Sequence, residues 1–115
     1  MKFHHLAIKV FDFPGMLGFY QNLGFKLRKK FSKDEEQYAF LEGLGVRLEL
    51  ISGREEEEGS GFDHLSFQVK NLQAVYQEQK ARGLIFLSEP QQGTCCKWFV
   101  FFIDPEENKL ELYED

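Results

Sequence analysis

A chain of 115 residues, 43% hydrophobic with 13 Phe, has the length and the material for one domain with its own core. Its charged fraction is 29% and its net charge −5, which argues against nucleic acid as the main partner, because phosphate binding needs a basic face. No apolar run approaches the ~20 residues of a membrane span, and the start, Met1-Lys2-Phe3-His4-His5, lacks the apolar core of a secretory signal. The two cysteines, Cys95 and Cys96, are adjacent. Neighbours in sequence bridge only under strain, so they point to a reducing cytoplasm. They read as strand residues near a pocket, and no C-x-x-C spacing supports a redox role.

Residues 3–10 alternate as a strand, with Leu6, Ile8 and Val10 on one face and His5, Ala7 and Lys9 on the other. Phe11 to Pro14 ends it. Asp12 suits a helix N-cap, Pro14 the first turn and Gly24 the C′ position. The helix between them carries Met16, Leu17, Phe19, Tyr20 and Leu23 on its apolar side. Strands follow near 25–32 and over 37–42. The tight turn Gly43-Leu44-Gly45 leads into a fourth strand, Val46–Ser52, with Glu49 and Arg47 opposite Leu48 and Leu50. Gly53 to Gly61, with Glu55–Glu58 in the middle, has no periodicity and reads as a solvated linker.

The pattern then restarts. His64–Lys70 is a strand, with His64, Ser66 and Gln68 against Leu65, Phe67 and Val69. Asn71 caps a helix to about Arg82, closed by Gly83. A strand near 84–88, a loop over 89–93, a long strand near 96–103, the turn Asp104–Asn108 and a last strand over 109–114 complete the chain. In that last strand Lys109, Glu111 and Tyr113 face away from Leu110 and Leu112.

The halves repeat each other. His5 and His64 lie 59 residues apart, as do Val10 and Val69, Asp12 and Asn71, and Gly24 and Gly83. After a three-residue insertion, Arg47-Leu48-Glu49-Leu50 matches Lys109-Leu110-Glu111-Leu112. Each half is one βαβββ unit, too short for a comfortable core of its own. The boundaries are about 1–54 and 60–115, with a linker near 54–61. Strand parity puts His5, Glu49, His64 and Glu111 on the polar faces, away from the helices. Glu is depleted in strands and rarely buried alone. A lone strand His or Glu is usually satisfied by a neighbour, with Arg47 or Lys109 the obvious partner. Two imidazoles and two carboxylates at repeat-equivalent positions instead suit a divalent ion, Zn, Ni, Fe or Mn rather than Ca or Mg.

These residues resemble the vicinal-oxygen-chelate superfamily: glyoxalase I, fosfomycin-resistance proteins, bleomycin-binding proteins and extradiol dioxygenases. The motifs are His5-Leu-Ala-Ile-Lys-Val-Phe-Asp12, Phe19-Tyr20 to Leu23-Gly24-Phe25, His64-Leu-Ser-Phe-Gln-Val69, and Asp104-Pro105 through Glu111. Their order spans essentially the whole chain. The resemblance implies an α+β fold of two βαβββ modules in one domain over 1–115, with a curled mixed sheet around a metal. The ligand set His5, Glu49, His64 and Glu111 looks like that of glyoxalase I. Dioxygenases and fosfomycin-type transferases usually use three such ligands, and epimerases on this fold usually carry Gln in the second slot.

The implied chemistry is that of a lactoylglutathione lyase-like enzyme, acting on an α-oxo, hemithioacetal-type substrate through an enediolate. Glu111 would be the base and Glu49 a ligand and second acid/base, with Zn or Ni as the metal. Lys9, Ser66, Gln68, Thr94 and Trp98 are candidate substrate contacts. Two departures concern the thiol. Bacterial glyoxalases I carry Arg where this chain has Lys9, and an Asn contacting glutathione where it has Gly53; Lys does not grip a carboxylate as Arg does. Other readings are a thiol transferase acting in antibiotic resistance and a non-catalytic binding module. An oxygenase ranks behind these, because Glu49 would fill a position that O₂ chemistry wants open. The glyoxalase I arrangement implies a homodimer in which His5 and Glu49 of one chain meet His64 and Glu111 of the other.

Overall fold

The computed structural model describes residues 1–56 and 61–115. Among the described residues there are nine strands and two helices, and the chain divides into two units. One is His5–Asp63; the other joins Met1–His4 to His64–Asp115.

In the first unit, β1 (Lys2–Lys9, from His5 onward) runs parallel to β4 (Val46–Ile51), and β2 (Lys26–Lys33) and β3 (Glu36–Gly43) complete the order β2-β3-β4-β1. The crossover from β1 is α1 (Phe13–Leu23). Its start is set by Asp12, whose Oδ1 accepts the N–H of Gly15 at 3.1 Å. It stops at Gly24, whose φ of +123° few side chains tolerate. Two-residue turns join the hairpins. Asp34 and Glu35 have φ of 51° and 68°, and Leu44 and Gly45 have 52° and 78°, the sense of turn that matches strand twist. Under α1 lie Val10, Phe13, Phe25, Ala39, Leu41, Leu48 and Leu50. Leu41 and Leu50 are wholly buried, each worth about 1.5–3 kcal/mol of transfer free energy.

The second unit repeats this plan. β5 (Phe62–Gln68) pairs in parallel with β9 (Lys109–Glu114), and the order continues through β8 (Trp98–Ile103) to β6 (Ile85–Phe86). A further two-residue strand, β7 (Gln91–Gln92), pairs with β8. α2 (Leu72–Ala81) is capped by Asn71, whose side chain accepts from Ala74 N at 3.2 Å. Glu114 on β9 accepts from Leu72 N at 2.8 Å, so a buried carboxylate also serves the helix start. The core here is Val69, Leu72, Tyr76, Val100, Phe102 and Leu112.

Most elements fall where the sequence puts them. The expected strand near 84–88 shrinks to two residues, and the expected loop over 89–93 contains β7. The strand expected from 96 begins at Trp98, because Cys95 and Cys96 turn out of the ladder toward Tyr113 and the Trp98 carbonyl. Of the acidic run Glu55–Glu58, Glu55 and Glu56 are exposed, and the rest lies outside the described residues. No helix among the described residues is long and apolar enough to cross a membrane.

Candidate functional site

Each unit carries an imidazole–carboxylate pair with both members buried, built the same way. In the first, parallel pairing sets Ala7 beside Glu49, and His5 two residues earlier shares that face. His5 Nε2 lies 3.4 Å from Glu49 Oε1. In the second, Ser66 is beside Glu111, and His64 Nε2 lies 3.5 Å from Glu111 Oε1. The four side chains are buried, at 1%, 8%, 3% and 6% exposure in chain order. Burying a carboxylate is costly unless it is matched by a partner charge or an ion.

The repeat extends to a pair of rings that the sequence reading did not select. Phe40 stands opposite Glu49 across β3–β4, and Phe101 opposite Glu111 across β8–β9. Phe40 meets His5 edge-on at 5.1 Å, and Phe101 meets His64 at 5.0 Å. Such contacts are worth about 0.5–1.5 kcal/mol and limit ring rotation. Counting residues back across the Gly43-Leu44-Gly45 turn from Glu49 would have found Phe40.

The remaining candidates scatter. Lys9 is half-exposed and lies 3.8 Å from Glu36. Glu36 also accepts from the Tyr38 hydroxyl at 3.3 Å. Burial first, and then that carboxylate, push Tyr38 up to about 12. Gly53 has φ +99° beside the same Glu36, so a side chain there would be strained. Gln68 donates to Asp115 at 3.0 Å. Thr94 is exposed in the loop before β8. Trp98 is half-buried and packs against the core cluster under α2, because β8 alternation gives 98, 100 and 102 to that face and leaves 99 and 101 for the other. Cys95 and Cys96 are not disulfide-bonded. The Tyr113 hydroxyl donates to the Cys95 carbonyl at 3.2 Å and lies 3.7 Å from its sulfur. Burial pushes the Cys96 thiol up to about 12, well out of the reactive range.

Residues 2–112 match the family model described as Glyoxalase/Bleomycin resistance protein/Dioxygenase superfamily. The chain belongs to this superfamily. A relative within reach of it is the uncharacterised protein YwkD of Bacillus subtilis (strain 168), 32% identical, with 96% of this chain and 94% of that protein aligned. Among solved structures, the hypothetical protein BH1468 of Bacillus halodurans C-125 is similar at TM-score 0.84 and 26% identity, covering 99% of this chain and 94% of that one. Methylmalonyl-CoA epimerase is similar at TM-score 0.82 and 17% identity, again over 99% and 94%. The 2,3-dioxygenase LapB of Pseudomonas sp. KL28 is similar at TM-score 0.73 and 13% identity, over 98% of this chain and 42% of LapB. The last two share the fold. The glyoxalase superfamily fold is thus mixed α+β, with one helix in each βαβββ module here.

The donors of each pair fit the divalent ion that glyoxalase superfamily members typically carry. Imidazole nitrogen and carboxylate oxygen are borderline-hard ligands of Zn²⁺ and its neighbours. A charge-assisted N–H···O bond closes to about 2.7–2.9 Å, whereas the two observed separations are 3.4 and 3.5 Å. Two neighbouring ligands held at about 2.1 Å from one ion stand about 3.0–3.4 Å apart, depending on coordination geometry. The spacing in each unit is close to that range.

Proposed function

We propose that the chain is a divalent-metal-dependent, glyoxalase-I-like lyase or isomerase acting on an α-oxo, hemithioacetal-type small molecule through an enediolate. The observation that carries this is the matched spacing of the two buried pairs, His5–Glu49 and His64–Glu111. In this reading all four residues hold one Zn²⁺ or Ni²⁺, and the whole of 1–115 works as one domain of two modules in the cytoplasm. When bound, the metal supplies a Lewis acid that stabilises negative charge on the substrate's oxygens. Glu111 takes the proton from the carbon next to the carbonyl and returns it to the neighbouring carbon. Glu49 completes the ligand set and serves as second acid/base. Phe40 and Phe101 hold the imidazoles side-on and help to exclude water.

The thiol is a different matter. Lys9 stands where bacterial glyoxalases I carry Arg, and Glu36 already lies beside its charge. Gly53 stands where they carry Asn, and its backbone disfavours one. We therefore assign the substrate to an α-oxo compound whose thiol is not gripped as glutathione is. Lys9 and Gln68 remain the nearest candidates to contact it.

The test combines metal analysis of purified protein with solvent deuterium exchange on a panel of methylglyoxal hemithioacetals. Stoichiometric metal and exchange that is lost in Glu111→Gln are expected. Wild-type protein that binds no divalent metal sinks the reading.

A further inference from the structure

Ser66 is wholly buried, and its Oγ has no hydrogen-bond partner among the described residues. A buried hydroxyl in that condition is destabilising unless something pairs with it. The fold does not require one there. The equivalent position in the first module is Ala7, equally buried and paired with Glu49 as Ser66 is paired with Glu111. The hydroxyl is thus an addition to the second module alone.

Its surroundings select a partner. Parallel pairing points the side chains of Ser66 and Glu111 to one side as lateral neighbours. The other polar groups that β5 and β9 place nearby on that face are engaged elsewhere. Gln68 donates to Asp115, the Tyr113 hydroxyl donates to the Cys95 carbonyl, and the Lys109 ammonium lies over the Phe101 ring at 4.7 Å. His64 faces Glu111 itself. We propose that Ser66 is a positioning residue: its hydroxyl donates to the Glu111 carboxylate and orients it when the site is loaded. This rests on the proposed metal-binding role of Glu111 and deepens it, because it makes the two glutamates inequivalent. Glu111 has a built-in donor; Glu49 has a methyl group in its place.

A cycle of metal affinities tests this: wild type, Ser66→Ala, Glu111→Ala and the double variant, each titrated with Zn²⁺ against a chromogenic chelator. Partners that orient a ligand typically contribute about 10–100-fold in affinity. Ser66→Ala is therefore expected to weaken Zn²⁺ about tenfold in the wild-type background and less than about twofold in Glu111→Ala, which leaves no acceptor, the non-additivity of a contact. Ser66→Thr, which keeps the hydroxyl, recovers most of the loss. On a turned-over hemithioacetal, Ser66→Ala lowers kcat and leaves KM near its original value. Equal losses in both backgrounds overturn the proposal. If wild type binds no Zn²⁺, the metal reading falls first, and the same cycle read as thermal stability decides the contact. Coupled Tm changes then support the Ser66–Glu111 contact, and additive ones overturn it.

Discussion

In the proposed mechanism Glu111 both holds a metal and moves a proton, and single substitutions separate those tasks. Glu111→Gln keeps the shape and an oxygen donor but removes the base. It is expected to retain metal while losing about 10²–10⁴-fold in exchange rate, the usual contribution of general acid–base catalysis. His64→Ala removes a ligand outright and should weaken metal by more than the ~10–100-fold typical of an outer partner. Inductively coupled plasma analysis beside the exchange assay reads both. A Glu111→Gln protein that exchanges at the wild-type rate moves the base to Glu49. At this scale the sequence was informative because strand parity and the repeat constrain the same four residues. It was uninformative about Trp98. An aromatic in a strand of six consecutive apolar residues carries no parity signal of its own, and only the register places it on the α2 side. Phe40 and Phe101 were hidden for the converse reason, since a Phe in a strand reads as core until the residue opposite it is known.

Helices and turns were the most legible elements, because their signals are chemical rather than positional. Asp12 and Asn71 cap as their side chains allow, and Gly24 and Gly83 stop the helices at φ of +123° and +99°. Each cap accepts one orphan N–H, so Asp12→Ala and Asn71→Ala should each cost about 1 kcal/mol in urea unfolding. The Asp104 turn joins β8 to β9 and so fixes the register that brings Phe101 to Glu111. Its carboxylate accepts from the Asn108 side chain at 3.0 Å, and from the backbone N–H groups of Asn108 and Glu106 at 2.9 Å each. The Asn108 amide foremost holds this exposed carboxyl below its ordinary value. A depressed acid stabilises the fold above its unfolded pKa. That contribution fades as pH falls through the folded value, on the acid side of 3.8. Wild type should therefore lose more stability than Asp104→Asn between pH 5 and pH 2; parallel curves would remove the turn's electrostatic role. The short β6 and β7 were illegible because two-residue strands have no period, and they form only where β8 offers an edge. The exposed edge strand β2 carries Lys26, Arg28, Lys29, Lys30 and Lys33 along its open ladder.

At the scale of the whole molecule the repeat is the organising fact, and it poses a question of assembly. Each module holds one buried imidazole–carboxylate pair and its own core. Two ligands bind a divalent ion weakly, while four bind it well, so the proposed metalloenzyme needs both pairs at one ion. We propose the homodimer, with His5 and Glu49 of one copy joined to His64 and Glu111 of a second. Metal and subunit association are then linked, because an ion that binds only the assembled site stabilises it by mass action. Diluting the loaded protein through the dimer dissociation constant should release metal in step with monomer formation, and a chelator should shift the sedimentation profile toward monomer. Mixing a His5→Ala, Glu49→Ala protein with a His64→Ala, Glu111→Ala protein sharpens the test. Each homodimer has only half-built sites, but the mixed dimer regains one complete site and should recover about half the metal per chain of a wild-type dimer. Monomers that keep full metal at high dilution would instead assign all four ligands to one chain.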